Sequence, residues 1–191
     1  MSRQIVEERM EIATRVGAHL LAERLRFDWS PGTAIAEPTG CLSFREVGSD
    51  AELIELMTLA LAGTLDAHSR IALGQMPANE VARQHFDGEL KSYRSPREWW
   101  RIATLADGEA VGFVTPARND YNAILAYLGV LPAHRGRGYV DEILAEGTRV
   151  LAAQGVPRIR ASTDLDNVPM AQAFSRAGWD NFERAITMTW S

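Results

Sequence analysis

Cysteine is almost missing from this chain. Cys41 stands alone, so no internal disulfide can form and no Cys-rich zinc site can be built. The four histidines, His19, His68, His85 and His134, lie too far apart for metal-ligand spacing, and no metal is expected. No apolar run reaches the roughly 20 residues of a membrane helix, and residues 1–21 mix Glu and Arg through every turn where a secretory leader carries an apolar core. A cytoplasmic setting with no membrane partner is the expectation. An excess of positive charge is lacking too. The net charge is −5 and the basic residues are dispersed, which disfavours a nucleic-acid partner and restricts any polyanion site to a local one. Walker-type Gly-x-x-x-x-Gly-Lys-Ser/Thr is absent, which weakens a nucleotide hydrolase reading.

What the chain does have is regular punctuation. Its 191 residues suit one domain plus a small extension. Val6, Met10, Ala13, Val16 and Leu20 recur at helical spacing within residues 5–25, and residues 27–40 follow with two prolines, two glycines and little periodicity. Residues 1–40 are thus expected to be a helix and linker that dock on the main domain or on a second subunit, which leaves a homodimer open. From residue 41 a strand at 42–47 feeds a helix opened by Ser49-Asp50-Ala51-Glu52, and Pro77 opens another helix that ends near Ser95-Pro96. Residues 99–105 and 110–115 are β-rich around Asp107-Gly108 and predict a hairpin; residues 123–131 continue the sheet. A helix over 141–154, a strand over 158–163, a helix over 168–177 and a strand over 184–190 complete 41–191 as one domain. Early hairpins with a late strand–helix–strand unit require an α+β, mixed sheet.

The most informative segment joins the strand at 123–131 to the next helix: His134-Arg135-Gly136-Arg137-Gly138-Tyr139-Val140. Two glycines let the backbone curl with its N–H groups converging, first-turn amides carry partial positive charge, and Arg135 and Arg137 add full charge. An anion belongs there, although a polar turn of this composition would also join a strand to a helix.

Together with its flanks, Leu128-Gly129-Val130-Leu131-Pro132 before and Asn167, Met170, Phe174, Arg176, Gly178 and Trp179 after, this segment resembles the GNAT superfamily of acyl-CoA-dependent N-acyltransferases. That resemblance implies a mixed, mostly antiparallel sheet of about seven strands flanked by helices and splayed between strands 4 and 5. It implies acetyl-CoA as cosubstrate, with the diphosphate on the amides of Arg135, Gly136, Arg137, Gly138, Tyr139 and Val140, the pantetheine beside Leu128 and Val130, and Asn167 touching the pantetheine arm. By itself Asn167 is also a good helix N-cap. The implied activity is acetyl transfer to a small-molecule or peptide amine by direct attack.

Three departures bear on mechanism. Val140 stands where the family has Gly or Ala, and its Cβ branches crowd the diphosphate. Phe174 replaces a Tyr that in many members protonates the thiolate, and Phe has no proton to give. The strand face of Ile124, Ala126 and Leu128 carries no titratable group, and two-residue alternation turns Tyr127 to the other face. Asp164, Glu98, Asp120 and Tyr121 are left as proton acceptors acting through water, each of which also reads as ordinary loop surface. Of Trp99 and Trp100, one ring is expected in the core, and the other is a candidate for lining an acceptor pocket formed by residues 58–93, with ordinary packing as the alternative. A catalytically impaired acyl-CoA-binding module, serving as sensor or assembly partner, is the alternative these departures support.

Overall fold

The computed structural model describes residues 3–190. A single seven-stranded sheet organises them, in the order β2-β3-β4-β5-β6-β1-β7. Its strands are β1 (Ala18–Trp29), β2 (Ser43–Glu46), β3 (Arg101–Thr104), β4 (Ala110–Arg118), β5 (Ala123–Val130), β6 (Ile159–Asp164) and β7 (Asp180–Trp190). Every neighbouring pair is antiparallel except β5 and β6. That parallel pair meets only at Ala123–Ile159 and Ile124–Arg160 and then separates. The expected mixed, mostly antiparallel sheet is present, and it splays at the expected place.

The helices are α1 (Arg3–Arg15), α2 (Asp50–Ala60), α3 (Ala67–Leu73), α4 (Ala78–Gly88), α5 (Tyr139–Ala152) and α6 (Val168–Arg176). Two cores form, one on each face of the sheet. Ile143, Leu144 and Leu151 of α5 and Phe174 of α6 pack with Phe27 and Trp29 of β1 on one face. On the other, Leu53 and Met57 of α2 and Val81 and Phe86 of α4 enclose Trp100, Ile102 and Phe113. The α2 start follows its sequence signature: Ser49 accepts from the Glu52 N–H at 3.2 Å, while the Glu52 carboxylate accepts from the Gly48 N–H at 2.8 Å.

The N-terminal segment departs from expectation. The helix predicted over residues 5–25 stops at Arg15, and Gly17, at φ +89°, turns the chain into β1. Of the apolar stripe, Val16 and Leu20 are exposed, and Val6 lies outside the side chains described. A short alternation wins instead: Leu25, Phe27 and Trp29 face a core while Arg24, Arg26 and Asp28 take the other side. Pairing along both edges, with β6 and with β7, then overrides helical spacing. Strand β1, drawn from the residues expected to form an extension, therefore lies inside the sheet. Helix α3 was also absent from the sequence expectation; its seven residues bury no side chain fully and so carry no apolar stripe.

Candidate active site

Beyond Ile124 the β5 edge is open, and a groove of about 1160 Å³ follows the gap between β5 and β6. One end is built from main chain. After a single turn at Pro132–His134, the loop runs through Gly136 (φ +74°) and Gly138 (φ +82°) into α5. Gly138 occupies the N-cap position with no capping side chain, so the first-turn amides meet no side-chain acceptor. No atom lies within 4 Å of where a Cβ at either glycine would stand. Tyr139 and Val140 line the groove beside them, with Asn167, Met170 and Phe174 across it. The acidic residues of the first turn are engaged elsewhere: Asp141 with Arg176 at 2.7 Å and Glu142 with Thr39 at 2.6 Å.

Arg135 departs from the phosphate role expected of it. Its guanidinium donates to the carbonyls of Ala60 at 2.7 Å, Ala62 at 2.6 Å and Val130 at 3.0 Å. It clamps the C-terminal end of α2, where exposed carbonyls favour a cation, onto the end of β5. Arg137 is exposed at the loop. Leu131 donates its N–H to Val111 on β4, so by strand alternation Leu128 and Val130 turn their main-chain groups to the open side. The Val130 carbonyl is taken by Arg135, which leaves Leu128 and the Val130 N–H for a ligand. Asn167 caps α6, accepting from the Met170 N–H at 3.4 Å, and also lines the groove.

The other wall is built from side chains, and a β-bulge sets it. Thr115 of β4 faces Tyr127, but the next residue, Pro116, faces Leu125, so Ala126 is an extra residue in β5. Alternation slips there. Ala126 and Tyr127 both pack toward α2 and α4, while Leu125 and Leu128 pack toward α5. Tyr127, expected on the face away from Ala126, instead shares that face and lines the groove. Burial, together with the nearby charge of Asp66, raises its pKa to about 12, so the phenol stays neutral. Its ring lies 4.9 Å from that of His85 and 5.3 Å from that of Phe113.

Asp164, at the end of β6, is only 5% exposed. One oxygen accepts from Arg24 of β1 at 2.8 Å and the other from the Ala67 N–H at the start of α3. Arg24 also pairs with Asp66 at 2.7 Å, and Asp66 caps α3 through the Ser69 N–H at 2.7 Å. Burial alone would raise the Asp66 pKa, but hydrogen bonds from Ser69 and the charges of Arg24 and His68 hold it below the usual carboxylate range. Asp164 is thus an anchor for three elements, with both of its oxygens engaged. Tyr121 lines the groove but is 87% exposed. Glu98 and Asp120 are exposed and stand outside the groove lining. Trp100 is buried edge-on against Phe86 at 6.1 Å, and Trp99 does not line the groove either. His85, Glu89, Tyr93 and Asp66 share this wall; they come from the 58–93 stretch expected to form the acceptor pocket, although none of them was singled out. No motif marks them, because they come from α4, the turn after it and the turn before α3.

An α+β domain whose mixed sheet opens between two parallel strands, beside a helix start of uncapped amides, forms a groove suited to an extended anionic ligand. The chain belongs to the acetyltransferase (GNAT) family, which it matches over residues 66–179, more than half of the sequence. Solved structures agree on the fold. A GCN5-related N-acetyltransferase from Sphaerobacter thermophilus is similar over 95% of this chain and 55% of its own, at 17% identity and a TM-score of 0.69. A GNAT-family acetyltransferase from Colwellia psychrerythraea matches 92% of this chain and 58% of its own, at 17% identity and a TM-score of 0.62. A GCN5-related N-acetyltransferase from Kribbella flavida matches 93% and 62%, at 15% identity and the same TM-score of 0.62. The chain spans little more than half the length of these relatives. Among the described residues no helix is long and apolar enough to cross a membrane, and no cluster of ligating side chains could hold a metal ion.

Proposed function

We propose that the protein transfers an acetyl group from acetyl-CoA to a primary amine by direct attack, without an acyl-enzyme intermediate. The observation that carries this reading is the union, in one groove, of a strand edge left open at Leu128 and Val130 with the uncapped amides at Gly138. The diphosphate rests on the N–H groups of residues 136–140 with Arg137 beside it, and the pantetheine pairs with Leu128 and the Val130 N–H. Asn167 meets the pantetheine arm. Bound acetyl-CoA supplies the activated acyl carbon; the protein supplies position. The branched Val140 side chain narrows the diphosphate seat without removing its N–H.

Phe174 stacks on Phe27 at 4.7 Å and gives no proton to the departing sulfur, so that proton comes through water. An alkyl amine of pKa near 10 is neutral in about one molecule per thousand at pH 7, a handicap of roughly 4 kcal/mol. Holding thioester and amine together offsets on the order of 7–11 kcal/mol, which makes the reaction feasible. The acceptor is a small-molecule or peptide amine seated between α3, α4 and the β5 bulge, and the setting is cytoplasmic.

Acetyl-CoA is expected to raise the thermal midpoint, because a ligand that binds only the folded state stabilises it, and thiol should be released when primary amines are added. An unchanged midpoint would sink the reading. Stabilisation with no acyl product across a broad amine library would favour the binding-module alternative.

A further inference from the structure

We infer that His85 is the general base that takes the proton from the acceptor amine, oriented by Glu89 and Tyr93. The inference rests on the acetyltransferase reading above. His85 lies on the groove-facing side of α4, with its ring against that of Tyr127 at 4.9 Å. Tyr127 neighbours Leu128, along which the thioester arm is placed, so His85 overlooks the reacting carbonyl from the amine side. Its Nε2 is buried without a hydrogen bond and stands 3.5 Å from Glu89 Oε2. The other Glu89 oxygen accepts from the Tyr93 hydroxyl at 2.8 Å. Burial and this bond hold the Tyr93 phenol protonated, so it remains a donor that fixes Glu89. A carboxylate fixed on one side and facing Nε2 on the other selects the tautomer with hydrogen on Nε2. Nδ1 then keeps its lone pair.

Five other groove-lining groups are excluded by their partners or their place. Asp164 has both oxygens engaged, and Asp66 is held by Arg24 and Ser69. His68 has Nδ1 3.4 Å from the Arg24 guanidinium, a cation that repels an incoming ammonium. Tyr127 stays neutral. His134 is buried against Glu109 at 3.2 Å, and it sits past the end of β5 at the loop end of the groove, with its ring 6.3 Å from that of Tyr139.

His85 takes one proton from the ammonium and returns it to solvent. The freed lone pair forms the C–N bond, the C–S bond breaks with its electron pair on sulfur, and the second nitrogen proton reaches that sulfur through water. The product is the amide and the free thiol.

The test compares wild type with His85→Gln at pH 7.5, using acetyl-CoA with two kinds of nucleophile. A panel of primary alkyl amines arrives as ammonium ions and needs a base; hydroxylamine is already neutral and does not. The expected result is a loss of about 100-fold on the alkyl amines with little change on hydroxylamine. Acetyl-CoA should stabilise both proteins equally, and added imidazole should restore part of the alkyl-amine rate in His85→Ala. Glu89→Gln should show the same selectivity to a smaller degree. An active wild type whose alkyl-amine rate survives His85→Gln, or falls equally on both nucleophiles, overturns the assignment and leaves the acetyltransferase reading standing. A wild type that binds acetyl-CoA and acylates nothing overturns both.

Discussion

The two ends of the groove are made of different material. At the loop end, glycines and main-chain amides do the holding, and Arg135, the residue there with the most hydrogen bonds, serves the fold. At the helical end, Asp66, His85, Glu89, Tyr93, Tyr127 and Asp164 converge from α4, β5, β6 and the turns beside α3 and α4. A main-chain site needs a fixed local backbone and so leaves a compact motif. A side-chain site needs only that distant segments meet, and leaves none.

The sharpest way to break the helical end is Asp164→Ala. It strips a partner from Arg24 and from the Ala67 N–H together, and a loss of about 3 kcal/mol is expected in chemical denaturation. A loss under about 0.5 kcal/mol would mean that Asp164 is not the anchor described.

Arg135→Ala comes next, with a loss of about 1.5 kcal/mol as the α2 carbonyls lose their cation. Calorimetric titration with acetyl-CoA should find its affinity nearly unchanged, whereas Arg137→Ala should weaken it. The opposite pattern would return Arg135 to the phosphate role that the sequence suggested.

Gly138→Ala should cost about 1 kcal/mol, because φ +82° is strained for a residue with a Cβ, and acetyl-CoA affinity should fall with it. Affinity preserved in this variant would show that the loop end does not hold the cosubstrate.

The smallest effect concerns pH. The folded-state pKa of Asp66 lies below its unfolded value, so its contribution is complete above the unfolded pKa near 4 and fades as pH falls through the folded value. Melting curves should therefore show wild type more stable than Asp66→Asn at pH 7, with the gap closing below pH 4. A gap that widens in acid would reverse the sign and contradict the environment assigned to Asp66.

Much of the fold was legible for the same reason as the loop end. The Asp107-Gly108 hairpin and the starts of α2 and α6 follow local signals that the chain obeys, whereas the splay was legible only through the family resemblance. Strand β1 was hidden because Val16 and Leu20 also suit a helix, and only pairing with β6 and β7 decides between the two periods. The bulge at Ala126 was hidden more deeply. It is a property of the β4–β5 register, and it moves Tyr127 to the side of α2 and α4 with no change in the local residue pattern. His85 then had no reason to stand out until α4 set it against that ring.

A crystal structure with acetyl-CoA decides whether the groove is divided in this way. The expected complex has the diphosphate on the amides of residues 136–140, the pantetheine paired with Leu128 and the Val130 N–H, and the acetyl group turned toward His85. A diphosphate seated away from that loop, or an acetyl group facing α6, would contradict it.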